Sequence, residues 1–180
     1  MIKGWLNPTI TPKKLLMDYV STGNKKYLTL LVEQFNLSLY HYLLSQSNKE
    51  LAEDVLQTTW LKVIQNTSQD HCNVKSWLFT IARNTLIDEL RHQKKWQMQA
   101  LADEHTITIN LSRELAHTEK LAEFNEALIS LPFYQREAFI FQQEGFSVMD
   151  ICQLTDENFE TVKSRLRYAR NNLKKILGTN

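Results

Sequence analysis

VMDICQLTDENFETVKSRLRYARNNLKKIL, residues 148–177, is the stretch on which the fold turns. It reads as a short helix over 148–154 capped by Ser147, a turn at Asp156-Glu157-Asn158, and a longer helix from there to about Leu177. These are the proportions of a helix-turn-helix. In the longer helix Val162, Leu166, Ala169, Leu173 and Ile176 recur at spacings of 4, 3, 4 and 3, which makes one apolar stripe. Lys163, Arg167, Arg170 and Lys174 recur at the same spacings on another side. A basic stripe alone is more often the solvated face of a core helix. The paired-helix spacing reverses that preference, because in a helix-turn-helix the second helix puts its N-terminal part into the DNA major groove while the first braces across the backbone. Lys163, Ser164 and Arg167 are then expected nearest the base edges, where Lys and Arg pair best with guanine. Arg165 and Arg170 are expected on phosphates, fixing register without reading sequence. Thr161 and Tyr168 complete the expected DNA-facing set.

The rest of the chain agrees with an all-α reading. Only 4 Gly and 3 Pro occur in 180 residues, too few turn-formers for a many-stranded β protein. An apolar share of 43% excludes global disorder, and the length suits one domain or two small ones. Cys72 and Cys152 stand alone, without CxxC or a His-rich tract, so neither zinc nor a disulfide framework is expected. No metal or cofactor is expected elsewhere either. No apolar run approaches the roughly 18 residues of a membrane span, and Asn7 and Pro8 interrupt MIKGWLNPTITP before a signal-peptide core forms. A cytoplasmic location without membrane insertion is the expectation.

Punctuation divides the first half into four helices. Thr11-Pro12 is an N-cap followed by Pro at the first helical position, and Gly23 is a stop. Tyr27, Leu28, Leu31, Phe35, Leu39, Tyr42 and Leu43 follow a helical period. Ser47 or Asn48 caps a third helix whose inward residues are expected to be Leu51, Val55, Leu56, Thr59, Val63 and Ile64. After the polar stretch 66–73, Asn73 caps a fourth helix over 74–95. Residues 96–113 lose periodicity and contain Thr106-Ile107-Thr108-Ile109, a poor helix former; they read as a flexible linker. Helical pattern resumes near 114 with Leu115, Leu121, Phe124, Leu128 and Leu131, and restarts with Pro132 in a first turn. The expected organisation is two small helical domains, 11–95 and 114–178, joined by 96–113.

Charge follows the same division. The net of +1 conceals 12 Lys/Arg against 8 Asp/Glu over 1–95, 2 against 6 over 96–135, and 6 against 1 over 158–180. On the fourth helix Asn84, Asp88, Arg91 and Lys95 share an outer face, with Trp77 close by. An amide, basic groups and an aromatic ring suit a strand whose bases are unstacked.

AEDVLQTTWLKVI (52–64), SWLFTIARNTLIDELR (76–91) and LPFYQREAFIFQQEGFSVMDICQLTDENFETVKSRLRYARNNLKKIL (131–177) resemble regions 2 and 4 of bacterial sigma-70 family sigma factors, of the small extracytoplasmic-function (ECF) type. The resemblance covers about 25–95 and 115–177 in order. It implies a subunit that binds core RNA polymerase and directs promoter-specific initiation. Asp54, Gln57 and Trp60 would then meet the β′ clamp helices, and region 4 the β flap. Asn66 in the following loop, with Trp77, Asn84, Asp88, Arg91 and Lys95, would face the melted −10 element. The 161–170 helix residues would read the −35 element. An anti-sigma partner is implied by the resemblance only. The chain departs from the family pattern at Thr58 (commonly Glu), Asp156 (commonly Gly) and Cys152 (commonly Ala); Asp at 156 is expected to accept the left-handed conformation.

The alternative is a stand-alone helix-turn-helix regulator, which would bind duplex tightly without polymerase. An enzyme is not expected. Glu53 and Asp54 are adjacent on a helix and diverge by about 100°, and neither a Gly-rich phosphate loop nor a nucleophile motif is present.

Overall fold

A computed structural model describes residues 10–65, 73–100 and 119–178, and all of their regular structure is helical. Among the described residues four helices precede 101–118: α1 (Pro12–Thr22), α2 (Lys25–Gln46), α3 (Lys49–Gln65) and α4 (Val74–Ala100). Four follow it: α5 (Glu119–Ile129), α6 (Phe133–Gln143), α7 (Val148–Thr155) and α8 (Phe159–Ile176).

The helix ends follow the expected chemistry. Thr11 accepts a hydrogen bond from the Lys14 N–H, and Gly23 closes α1 at φ 65°. Of the two candidate caps before α3, Asn48 serves, accepting from the Leu51 N–H at 2.9 Å; the Ser47 hydroxyl instead donates back to the Leu43 carbonyl. Asn73 caps α4 through the Ser76 N–H. Ser147 and Asp150 form a reciprocal capping box on α7.

Three details differ from expectation. Helix α4 continues to Ala100, because Trp96-Gln97-Met98-Gln99-Ala100 holds no breaker; the remainder of the expected linker, 101–113, lies outside the described residues, as does Leu115. Pro132 sits one position before α6, with extended backbone at ψ 142°, rather than within its first turn. Ile64 is 44% exposed rather than inward, while Leu51, Val55, Thr59 and Val63 are buried as expected and Leu56 is half-buried.

The two helical groups pack against each other. One apolar core runs from Leu31, Leu39, Tyr42, Leu78 and Phe79 in the first group to Phe141, Phe146, Ile151 and Leu166 in the second. At the junction the Tyr42 and Phe141 rings stack with centroids 4.8 Å apart, and Phe146 meets Phe79 edge-on at 5.1 Å. Such ring pairs add about 0.5–1.5 kcal/mol beyond their area burial. Within this apolar wall lies Glu137 of α6, with 0% exposure. Arg83 of α4 donates to it through Nε at 2.9 Å and Nη2 at 3.3 Å, and the Tyr42 hydroxyl of α2 donates at 3.0 Å. Burial, and then the Glu137 charge, push the Tyr42 phenol well above its ordinary range, so it stays protonated and able to donate. Next to it Arg136 reaches Gln46 Oε1 at 3.2 Å and the carbonyls of Ile129 and Leu131. Lys75 of α4 pairs with the Glu144 carboxylate at 3.4 Å, hydrogen-bonds its carbonyl, and lies over the Phe146 ring. A second, smaller core of Ala127, Leu128, Leu131, Ala169 and Leu173 holds α5 to α8.

Removing one member of a buried pair leaves the other charge unpaired. Glu137→Ala or Arg83→Ala is expected to lower stability by about 3–5 kcal/mol in urea unfolding, and the double change Arg83→Met/Glu137→Leu to recover much of the loss. Ser147→Ala is expected to cost about 1 kcal/mol at neutral pH. The Ser147 hydroxyl, then its N–H, hold the Asp150 carboxyl below its ordinary range. That contribution is therefore complete above pH of about 4 and is lost as pH falls through the lowered value, a dependence that Ser147→Ala should flatten in acid titration.

Candidate polymerase and promoter interfaces

The helix-turn-helix is built by short-range chemistry. Asp156 takes the left-handed conformation (φ 54°) that ends α7, its N–H bonding the Cys152 carbonyl. The next residue, Glu157, also directs its N–H to the Cys152 carbonyl, at 3.1 Å. Asn158 then caps α8, accepting from the Thr161 N–H at 2.8 Å. The residue that departs from the family's Gly thus makes the turn unaided, since a short polar side chain tolerates αL better than others. Cys152 is half-buried against the main core.

Val162, Leu166, Ala169 and Leu173 of α8 are buried, so the opposite face is set outward; the last expected member of the stripe, Ile176, is 49% exposed. Lys163, Arg167, Tyr168 and Arg170 are exposed, and Thr161 and Ser164 are half-buried beside them. Lys163 makes an exposed pair with Glu160 at 3.6 Å and lies over the Phe159 ring. Arg167 lies over the Tyr168 ring at 5.1 Å. Both can leave such contacts at small cost. Arg170 bonds Gln142 Oε1 at 2.5 Å. Arg165 differs from all of these, being turned into the fold with an 18% exposed side chain that donates to Glu157 at 2.6 Å.

A second surface lies on α4. Asn84, Asp88, Arg91 and Lys95 are exposed along one face, where Arg91 and Asp88 approach to 3.6 Å. The face is outward because Leu78, Ala82, Thr85 and Leu86 fill the core behind it. Trp77 is half-buried and packs against that core. Asn66 lies outside the described residues.

The third surface is on α3, where Asp54 and Gln57 are exposed and Trp60 is half-buried. The Trp60 indole N–H donates to Asn36 Oδ1 at 2.9 Å, which fixes the ring against α2. Leu61, 51% exposed, extends the surface together with Ile64 and Leu37. Sequence periodicity counted Ile64 into the core and passed over Leu37 and Leu61. The available signal is an apolar residue standing outside the buried arc of each helix, Leu37 on α2 and Leu61 on α3.

Among the described residues no group of three or more His, Cys, Asp or Glu is placed to hold a metal, and no helix is long and apolar enough to cross a membrane.

Comparison with known proteins places the chain in a family. Residues 31–95 match the model of sigma-70 region 2. The chain is 33% identical over 138 residues to the ECF RNA polymerase sigma factor SigM of Bacillus subtilis (strain 168), covering 72% of this chain and 83% of that one. It is equally 33% identical, over 144 residues, to the ECF RNA polymerase sigma factor EcfG of Rhodopseudomonas palustris (strain TIE-1), covering 78% and 79% of the two chains. Among solved structures it superposes on the sigma factor RpoE of Bartonella quintana, determined with the anti-sigma factor NepR, with TM-score 0.73, 28% identity, and coverage of 87% and 99%. CnrH, determined with the cytosolic domain of CnrY, shares the fold with TM-score 0.68 at 19% identity, covering 94% and 98%. An outward-set basic α8 behind a capped turn, a region 2 match over the first helices, and likeness to these proteins over most of both chains together make this chain a member of the ECF sigma factors of the sigma-70 family.

Proposed function

We propose that this sigma factor recruits core RNA polymerase through α3 and reads two promoter elements through α4 and α8. Residues 11–95 act as region 2 and 114–178 as region 4, with 96–113 between them. Asp54, Gln57 and Trp60 meet the β′ clamp helices; the 114–178 domain meets the β flap. On α4, Asn84, Asp88, Arg91 and Lys95, with Trp77 and Asn66, take the −10 element once it is single-stranded. On α8, Lys163, Ser164 and Arg167 reach base edges of the −35 element, with Thr161, Tyr168 and Arg170 on its backbone.

The carrying observation is that α8 buries its whole apolar stripe up to Leu173 and leaves Lys163 and Arg167 outward and weakly held. A cation already committed to a strong internal partner must lose it to bind DNA; these two do not. The protein acts by binding and supplies no catalytic group, metal or cofactor. We assign it to the cytoplasm, where its polymerase partner works. The sigma factor RpoE of Bartonella quintana was determined in complex with the anti-sigma factor NepR, which supports an anti-sigma partner here.

Transcription in vitro with purified core polymerase on a promoter library tests the reading: initiation at defined sites should require both components. Specific duplex binding by the free protein, with no association with core, would instead favour a stand-alone regulator. Lys163→Ala or Arg167→Ala is expected to weaken promoter binding by roughly 1–3 kcal/mol and relax preference at the −35 element. Asn84→Ala should leave core binding intact and reduce permanganate reactivity of the −10 region, whereas Asp54→Ala or Gln57→Ala should abolish co-purification with core.

A further inference from the structure

We infer that Arg165 is a positioning residue: it sets the angle at which α8 is presented to DNA and makes no DNA contact itself. The inference rests on the reading of α8 as the −35 helix. The sequence places Arg165 among six cations after Asn158 and gives no sign that it is held inside the fold. The geometry does. Its Nη2 donates to Glu157 Oε1 at 2.6 Å, and its guanidinium carbon lies 4.7 Å from the centroid of the Tyr134 ring. The Arg165 and Glu157 side chains are 18% and 32% exposed, so the pair is partly shielded from solvent.

Those contacts connect three helices at the reading end of the motif. Glu157 belongs to the turn, and its N–H is bonded to the Cys152 carbonyl of α7 at 3.1 Å. Tyr134 lies in the first turn of α6. Arg165 sits between them on α8, so the start of α8 is tied to α7 through the carboxylate and to α6 through the ring. Further along, Asn172 to Gln135 at 3.0 Å and Arg170 to Gln142 at 2.5 Å tie α8 to α6 again. Of these ties between α8 and its neighbouring helices, those of Arg165 lie beside Lys163, Ser164 and Arg167, the residues proposed to approach bases. For Arg165 to reach a phosphate it would have to leave a short charge-assisted bond and a ring face together, and its carboxylate partner would then stand near the DNA unpaired. Lys cannot replace it, because the fork and the planar stack are both properties of guanidinium.

The test uses the full chain with core polymerase and a promoter selected from a randomised library. Binding is measured against salt concentration for wild type, Arg165→Gln, Arg165→Lys, Glu157→Gln, the double Glu157→Gln/Arg165→Gln, and Lys163→Ala, with circular dichroism confirming helix content. Arg165→Gln and Glu157→Gln should each weaken binding about tenfold, the double change should be no worse than either single one, and Arg165→Lys should not restore binding. The salt slope should stay at the wild-type value in all four. A phosphate contact gives the opposite pattern: a slope reduced by about 1 for Arg165→Gln, recovery with Arg165→Lys, and no loss for Glu157→Gln. That outcome, with Lys163→Ala behaving as expected, overturns the positioning role alone. If Lys163→Ala leaves −35 preference unchanged, the reading of α8 fails and the positioning role fails with it.

Discussion

Glu137 is the constraint on which the packing of this protein depends. A carboxylate with 0% exposure is tolerated only if its charge is met and its oxygens are hydrogen-bonded. Here both conditions are met by the other helical group, with Arg83 supplying a charged fork and Tyr42 a neutral donor. The aromatic rings of Tyr42, Phe79, Phe141 and Phe146 exclude water around the pair. A buried pair of this kind is weak as a source of net stability, because desolvation offsets most of the attraction. It is strong as a discriminator: α6 can rest on α2 and α4 only where the fork and the hydroxyl both reach the carboxylate. The apolar rings alone would allow neighbouring registers.

The same contrast between committed and uncommitted charge organises the proposed binding surfaces. Arg83 and Arg136 are inside the fold, Arg165 on α8 is paired with Glu157 of the turn, and Lys75 is at the junction of the two groups. Lys163 and Arg167 on α8, and Arg91 and Lys95 on α4, are outward. A formal net charge of +1 therefore says little about affinity for DNA. What matters is which cations have stronger partners within the chain, and how closely the outward ones are spaced, since exposed charges more than roughly 8–10 Å apart are largely screened.

Much of this was legible from sequence. The caps at Thr11, Asn73 and Ser147, the stop at Gly23 and the turn at Asp156-Glu157-Asn158 depend on residues within four positions of each other, so local chemistry is enough to find them. The buried stripe of α8 was readable for the same reason, since a period of 3.6 is written along one helix. Family likeness then supplied roles for surfaces that periodicity can only describe as exposed. Helix α4 runs on to Ala100 although the apolar period ends at 96, because a run without Gly or Pro keeps helical backbone whether or not it carries an apolar face.

Local sequence, then, determined most of the caps and stops, the buried stripe of α8 up to Leu173, and which family the chain joins. Tertiary structure decided the rest: that Glu137 and Arg83, 54 positions apart, share a site, that Ile64 faces out, and that Arg165 is spoken for while Lys163 and Arg167 are not. The physical reason is that a side chain's period along a helix states its direction but not its neighbour. Whether a charged group is solvated, paired or buried depends on what another helix brings to it, and that is settled only when the helices pack.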